Sequence, residues 1–316
     1  MEDTQKHIIA VILPSYKVKG HIKEVVETIP DFIDHIIVVD DKCPEGSGKY
    51  IEHCFAGNER VKIIYHDVNK GVGGAVISGY KLALELNVDI AVKMDGDGQM
   101  DPQYLKQLIG PIIQNKADYT KGNRFYDFKA LKKMPKIRLL GNSILSFLLK
   151  VASGYWNIMD PTNGFTAINK EAIESLNFDR ISNRYFFESD MLINLNICNK
   201  VVKDVNIPAF YGNEKSSMNI KSIALKFPLL LCRRFFKRIL LKYFVYDFNM
   251  ASVYTLVGLP MLLFGAGFGI YRWVYGVMHG IENSTGTVML SVLPLILGVQ
   301  FILQAISIDI NSVPKK

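Results

Sequence analysis

Val92-Lys93-Met94-Asp95-Gly96-Asp97-Gly98-Gln99 is a mostly apolar run that breaks into two carboxylates one residue apart. It reads as the end of a buried strand, and open α/β sheets gather their ligands at the carboxyl ends of strands. Two aspartate oxygens there suit a hard divalent cation, Mg²⁺ or Mn²⁺, that keeps positions open for the phosphates of a substrate. The stretch predicts an α/β fold that handles a nucleotide or a phosphate ester with a metal. A solvated Asp-x-Asp turn is the plain alternative, because such spacing is common in loops.

The flanking sequence supports the first reading. His7 to Leu13, Ile36 to Val39, Val61 to Tyr65 and Ile90 to Met94 are short apolar runs with strand character. Helical spacing falls between them, at His21 to Ile29, Gly46 to Phe55, Gly74 to Leu86 and Pro102 to Gln114. That alternation predicts a mostly parallel sheet with helices on both faces. Each strand ends in polar residues: Pro14-Ser15-Tyr16, Asp40-Asp41, Asn69-Lys70-Gly71 and Asp95-Gly96-Asp97. Unrelated surface loops have no reason to put their polar groups on one rim. Further on, the expectations are a fifth strand at Ala117 to Lys121, helices at Ile144 to Val151, Glu171 to Leu176 and Asp190 to Asn196, and a strand at Val201 to Ile207. Asp160 to Phe165 reads as a turn.

The C-terminal third differs in kind. Phe248 to Tyr271 and Gly286 to Ile308 hold no charged residue. Each is long enough to cross a hydrocarbon core of about 30 Å. The link from Arg272 to Thr285 is short, so the pair reads as a transmembrane hairpin. Net charge is +7, and Lys221, Lys226, Arg233, Arg234, Lys237, Arg238 and Lys242 precede the first span. The positive-inside rule then puts the N-terminal domain and the tail in the cytoplasm, beneath a bacterial inner membrane or an endoplasmic reticulum. These cations alternate with Phe227, Leu231, Phe235 and Leu240, which favours lipid headgroups over nucleic acid as their partner. The expected organisation is a catalytic domain over 1–218, a basic amphipathic juxtamembrane segment over 219–247, a hairpin over 248–308 and a tail over 309–316. Gly265, Gly267 and Gly269 allow close helix packing, within the hairpin or in a homo-oligomer. No secretory signal is recognisable at the N-terminus, and Cys43, Cys54, Cys198 and Cys232 have neither zinc nor Cys-x-x-Cys spacing, so they read as reduced thiols.

The rim residues match the parts of a nucleotide-sugar donor. Tyr16 borders or stacks on a base, and Asp41 accepts hydrogen bonds from base or ribose; a packed aromatic and a strand-end cap are the plain alternatives. Asn69-Lys70-Gly71-Val72-Gly73-Gly74-Ala75 lets backbone approach a ligand, or is simply a tight turn. It is neither a dinucleotide fingerprint nor a Walker loop. Asp95 and Asp97 hold the cation on the diphosphate, and Gln99 bonds the metal shell or the sugar. Arg124 and Arg138 are candidates for clamping an anionic acceptor, and Lys215 for neutralising the donor diphosphate; an exposed surface charge is the alternative for each. Asp160, Glu188 and Asp190 are spare carboxylates. Asp160 or Asp190 serves as general base if the acceptor is a hydroxyl, whereas a phosphate monoester needs no base.

Together these segments resemble family 2 glycosyltransferases of the GT-A fold. The closest likeness is to polyprenyl-phosphate (dolichol-phosphate-type) hexosyltransferases with a C-terminal transmembrane hairpin. The matching pieces are Leu13-Pro14-Ser15-Tyr16, Val38-Val39-Asp40-Asp41, Asn69-Lys70-Gly71 with Gly73-Gly74-Ala75, Asp95-Gly96-Asp97-Gly98-Gln99 with Met100-Asp101-Pro102, Gly122-Asn123-Arg124, Asp160 to Phe165 and Phe187-Glu188-Ser189-Asp190. The resemblance implies a Rossmann-like sheet and an inverting, metal-dependent transfer from a nucleotide sugar of GDP-mannose or UDP-glucose type to undecaprenyl or dolichyl phosphate at the cytoplasmic leaflet. It assigns Pro14, Tyr16 and Asp41 to the donor base, Asp95, Gly96, Asp97 and Gln99 to the metal and diphosphate, and Arg124 and Arg138 to the acceptor phosphate. The family's opening motif usually runs Tyr-Asn-Glu, and here Tyr16-Lys17-Val18 stands instead, which leaves the base open. Ser182 to Leu195 also departs from the shortest members. Two other outcomes remain: the same fold acting on a hydroxyl of a lipid-linked glycan, and a non-catalytic membrane scaffold.

Overall fold

The computed structural model describes residues 7–126, 136–208 and 220–316; the side chains of 136–140, 142 and 220–226 are also outside the described part. The chain divides into two compact units, Met1–Phe235 with Pro314–Lys316, and Phe236–Val313. The division falls inside the juxtamembrane segment 219–247.

The first unit is built on a seven-stranded sheet: β1 (Ile9–Ser15), β2 (His35–Asp40), β3 (Val61–Tyr65), β4 (Ile90–Lys93), β5 (Tyr119–Asn123), β6 (Thr166–Asn169) and β7 (Val202–Asn206), in the order β3-β2-β1-β4-β6-β5-β7. The first four are mutually parallel, β5 and β7 are parallel, and β6 alone runs against its neighbours. This is the mostly parallel α/β architecture that the strand–helix alternation predicts. Ile12, Leu13, Val38, Val39 and Val92 are fully buried, as strands covered on both faces must be. Helices Ile22–Thr28 and Leu105–Ile113 supply apolar faces to one core, through Val25, Val26, Leu108 and Ile109. On helix Val72–Glu85, Gly79 comes so close to β1 that an added Cβ would strike Ile12. Only glycine allows that approach, and overfilling such a contact costs about 1–3 kcal/mol.

Register carries the polar residues to one rim. Ser15 pairs with Asp40, Asp40 with Tyr65, and Ile12 with Lys93. Pro14 to Tyr16, Asp41, His66 and Asp95 therefore leave the sheet side by side. One strand was not foreseen. β6 has four residues, Thr-Ala-Ile-Asn, too few to show a period, and β4 and β5 enclose it.

In the second unit, helices Met250–His279 and Thr285–Asn311 are long and apolar enough to cross a membrane. The first outruns its expected end at Tyr271. Arg272 does not break it, since arginine is a good helix former; its guanidinium lies 5.6 Å from the Tyr275 ring and Tyr275 stacks on His279. The left-handed Gly280 (φ 63°) ends the helix and Ser284 caps the next, so the link shrinks to 280–284. Gly265 and Gly298 sit where a Cβ would lie 2.7 Å from Leu295 N and 2.6 Å from Leu262 N, while Gly267 meets open space. Gly265 and Gly298 thus serve the packing within the hairpin, and Gly267 does not. Also in this unit, the Arg238 guanidinium binds both oxygens of Asp309, at 2.7 and 2.9 Å, and the Tyr243 hydroxyl donates to Asp309 at 2.7 Å.

Candidate active site

Asp40 ends β2, Asp41 follows it, and both are almost entirely buried. Asp40 accepts from Cys43 N and Gly48 N, both at 2.7 Å, and so ties down the first turn of helix Ser47–Cys54. Asp41 accepts from Lys70 N, Gly71 N and His66 Nδ1, each at 2.7 Å, and His66 Nε2 reaches Ser78 Oγ. The amide of Asn69 donates to Asp41 O at 3.1 Å. The carboxylate of Asp41 thus holds the turn Asn69-Lys70-Gly71 in place. Tyr16 stands exposed beside it at 44%, next to Lys17.

The glycine turn approaches protein as well as solvent. Gly71 has φ 86°, and its missing Cβ would lie 2.7 Å from Asn183 O. Gly73 would place one 2.5 Å from Ser182 O, and Gly74 N donates to Asn183 O at 3.1 Å. The segment Ser182 to Arg184, noted above as unusual in sequence, is therefore a strap across the turn.

The β4 exit is different. Asp95 lies 2.8 Å from Lys93 Nζ and keeps a third of its side chain exposed. Asp97 accepts from Gln99 N at 3.0 Å, and Gly96 lies against Pro14, its built Cβ 3.5 Å from Pro14 O. Lys93 is buried within the sheet and also reaches Glu188 Oε1 at 3.5 Å. Burial alone would lower its pKa, but the carboxylates of Asp95 and Glu188 outweigh that and raise it above the ordinary lysine range. Gly164 leaves the room for this ammonium, since a Cβ there would strike Lys93 Nζ. A lysine inside the apolar run Ile90 to Met94 was the sequence signal for this partner.

Two hard carboxylates, partly exposed at a strand end, are a donor set that fits Mg²⁺ or Mn²⁺ with phosphate oxygens completing the shell. No group of three or more His, Cys, Asp or Glu with metal-site geometry occurs among the described residues. Phosphate oxygens and water would complete the shell of a cation held here.

Arg124 follows β5. Its Nε and Nη2 donate to Asp160 at 2.7 and 3.0 Å, and its backbone N at 3.2 Å. Asp160 is fully buried, so this fork holds the guanidinium at one place on the rim. A groove of about 70 Å³ lined by Gln99, Met100, Arg124, Asn163 and Phe165 joins Arg124 to the β4 exit. A larger cleft, about 600 Å³ and lined by His21, Glu24, Thr28 and Gln103, meets this site only through the loop from Asp97 to Asp101. Lys121 on β5 is buried with its ammonium donating to Asn163 O. Burial, partly opposed by Glu188 and Asp160, depresses its pKa to about 8. Asp190 is also fully buried. It accepts from Ser182 N at 2.9 Å and Arg234 Nη2 at 2.8 Å, and its pKa is raised by burial. As arranged, Asp160 and Asp190 position arginines and a strap, and neither faces an open space. Arg138 lies on helix Lys136–Ser153 with its side chain outside the described residues, as is Lys215.

Residues 10–176 match the family model described as glycosyl transferase family 2. The chain is 35% identical over 199 residues to the UDP-N-acetylglucosamine–dolichyl-phosphate N-acetylglucosaminyltransferase of Methanococcus voltae, covering 59% of this chain and 79% of that one. It is 26% identical over 186 residues to the undecaprenyl-phosphate mannosyltransferase of Micrococcus luteus, covering 58% and 75%. In fold it is similar to glucosyl-3-phosphoglycerate synthase of Mycobacterium tuberculosis in complex with UDP, with a TM-score of 0.55 and 16% identity over 73% of this chain and 80% of that one.

Proposed function

Since this chain belongs to the family 2 glycosyltransferases, we propose that it moves a hexose or N-acetylhexosamine from a nucleotide sugar to a polyprenyl phosphate, with inversion, at the cytoplasmic face of a membrane. The observation that carries the acceptor is the state of Asp160 and Asp190. A hydroxyl acceptor needs a base to take its proton. Asp160 and Asp190, the favoured candidates for that base, are fully buried and held by Arg124 and Arg234, and the third spare carboxylate, Glu188, faces the Lys93 ammonium. A phosphate monoester, with a second pKa near 6, arrives already charged. The names of the relatives from Methanococcus and Micrococcus, each a transferase acting on a polyprenyl phosphate, support the same choice.

The residues then divide the work. Pro14, Tyr16 and the turn at Asn69, Lys70 and Gly71 receive the nucleoside, with Asp41 holding that turn. Asp95 and Asp97 would hold a divalent cation beside the donor diphosphate, with Gly96 giving close access and Gln99 beside them. When bound, that cation neutralises the charge that grows on the departing nucleoside diphosphate. Lys93 keeps Asp95 oriented. Arg124, fixed by Asp160, draws in the acceptor phosphate and aligns one of its oxygens with the anomeric carbon; Arg138 and Lys215 add positive charge for acceptor and donor. The two apolar helices anchor the enzyme where its lipid acceptor lies, and the basic juxtamembrane helix rests on anionic headgroups.

The test is transfer from a panel of radiolabelled UDP- and GDP-sugars to undecaprenyl and dolichyl phosphate, with and without EDTA. Chelator-sensitive label in the lipid phosphate is the expected result. Label found solely on the hydroxyl of a lipid-linked glycan would overturn the choice of acceptor.

A further inference from the structure

The reading above leaves Asp190, Arg234 and the Ser182 to Arg184 strap without a part in the reaction. All belong to the first unit. Helix Ile220–Leu240 follows the sheet, and Leu231 packs with Leu149, Ala152, Phe186 and Ile193, with Phe227 and Phe235 beside them. Arg234 lies on that same face, one turn beyond Leu231. Its Nη2 donates to Asp190 Oδ2 at 2.8 Å, and its Nε lies 2.8 Å from Asp190 Oδ1. Exposed Leu229, Phe236 and Leu240 occupy the other side of the helix.

From Asp190 the contacts lead to the donor rim. Its Oδ2 also accepts from the backbone N and the hydroxyl of Ser182. The next carbonyl, Asn183 O, accepts from Gly74 N. Gly71 and Gly73 have no room for a Cβ against Asn183 O and Ser182 O, so strap and turn are in backbone contact. Asp41 grips the same turn from the opposite side through Lys70 N and Gly71 N. Asp190 is fully buried, and removing one partner of a buried ion pair leaves an uncompensated charge. Without Arg234 the strap loses the group that fixes its anchor.

We propose that Arg234 and Asp190 are a positioning pair through which the helix after the catalytic sheet holds the strap on the Asn69–Ala75 turn, and so sets the affinity for the donor nucleotide. The proposal rests on that turn being the nucleoside site. It makes donor affinity depend on a helix whose outer face is apolar and basic. It also gives Asp190 a task other than proton transfer.

The experiment uses the full chain in nanodiscs and two readouts: hydrogen exchange at the Gly74 amide, and calorimetric titration with UDP and with GDP in the presence of MnCl2. Arg234→Met should speed exchange at Gly74 and weaken binding of the preferred nucleotide by about tenfold, because apparent affinity falls with the fraction of competent turn. Asp190→Asn should do the same, the double variant should add little, and Arg234→Lys should recover part of both. Leu231→Ala opens a cavity on the same face and serves as the stability control: it should lower the melting temperature without moving either readout. Wild-type exchange and affinity in Arg234→Met would overturn the proposal, as would equal losses in Leu231→Ala. A wild-type chain that binds neither nucleotide overturns the nucleoside assignment and the affinity claim with it, while exchange at Gly74 still decides whether the pair holds the turn.

Discussion

The exits of β2 and β4 look alike as sequence, each an apolar run closing on two aspartates, and they are opposite as structures. At β2 the carboxylates of Asp40 and Asp41 are buried and accept from backbone N–H groups of Cys43, Gly48, Lys70 and Gly71. At β4, Asp95 is a third exposed and lies against a lysine, and Asp97 accepts from Gln99 N two residues on. On the proposed function, the buried carboxylates of β2 build the site and the partly exposed ones of β4 meet the substrate. The contrast predicts that damage at β2 appears as instability and weaker donor binding, and damage at β4 as lost turnover in a stable protein.

The largest effect should come from β4. Asp97→Ala should lower kcat/KM for transfer by about 10³-fold or more, the scale of losing a principal electrostatic stabiliser. Its melting temperature should stay near wild type, and EDTA should mimic it. A stable Asp97→Ala that transfers sugar normally would erase the distinction between the two exits.

Arg124 tests whether the acceptor side follows the same logic. Arg124→Met should lower kcat/KM by about 10²-fold, chiefly through the acceptor, because a fixed guanidinium supplies both charge and alignment. Asp160→Asn should approach that loss without touching the substrate, since Asp160 takes both Nε and Nη2 of Arg124. A double variant no worse than Arg124→Met assigns Asp160 to positioning. A further large drop in the double variant would return it to the list of bases.

At β2 the expected sign reverses. Asp41→Asn turns an amide NH₂ towards donors that need acceptors. The cost should be about 2–4 kcal/mol in urea denaturation, with KM for the donor raised about tenfold and a smaller change in kcat. An unfolding midpoint equal to wild type would mean that the turn holds itself.

How much of this was readable in the sequence follows from how local each signal is. β1 to β4 and their polar ends were legible because a buried parallel strand is a continuous apolar run and its exit carries the ligand groups. β6 was not, because four residues show no period and its place depends on β4 and β5. Asp41 reads in sequence as a candidate for contacts to base or ribose, and its part as a brace is not legible there, since its partners Lys70 and Gly71 lie about thirty positions along the chain and meet it only in the fold. The glycine turn reads as an approach to ligand or as a tight turn, and the strap that occupies it depends on Asp190, which reads in isolation as one more spare carboxylate. The hairpin is legible by composition, but the charge-free run stops at Tyr271 while the helix runs through Arg272 to His279, because arginine is a good helix former and charge does not mark a helix end.

The smallest effect concerns the two lysines buried beside these exits. Lys93 stays charged because Asp95 and Glu188 face it. Lys121, donating to a carbonyl, is pulled down to about 8 from 10.5 because burial prevails. Between those values the unfolded chain binds a proton at Lys121 that the folded chain has lost, so this residue makes stability rise with pH across the window. Lys93, raised above its ordinary value, is protonated in both states at the low end of the window and opposes this slope as the pH nears 10.5, where its unfolded form loses the proton. Lys242 is also depressed to about 8 by burial, so the wild-type curve alone does not isolate Lys121. The difference between wild type and Lys121→Met does: urea midpoints measured from pH 7.5 to 10.5 should climb less steeply in the variant. Parallel curves would mean that the Lys121 ammonium keeps its proton inside the sheet, and that burial there is offset as fully as it is for Lys93.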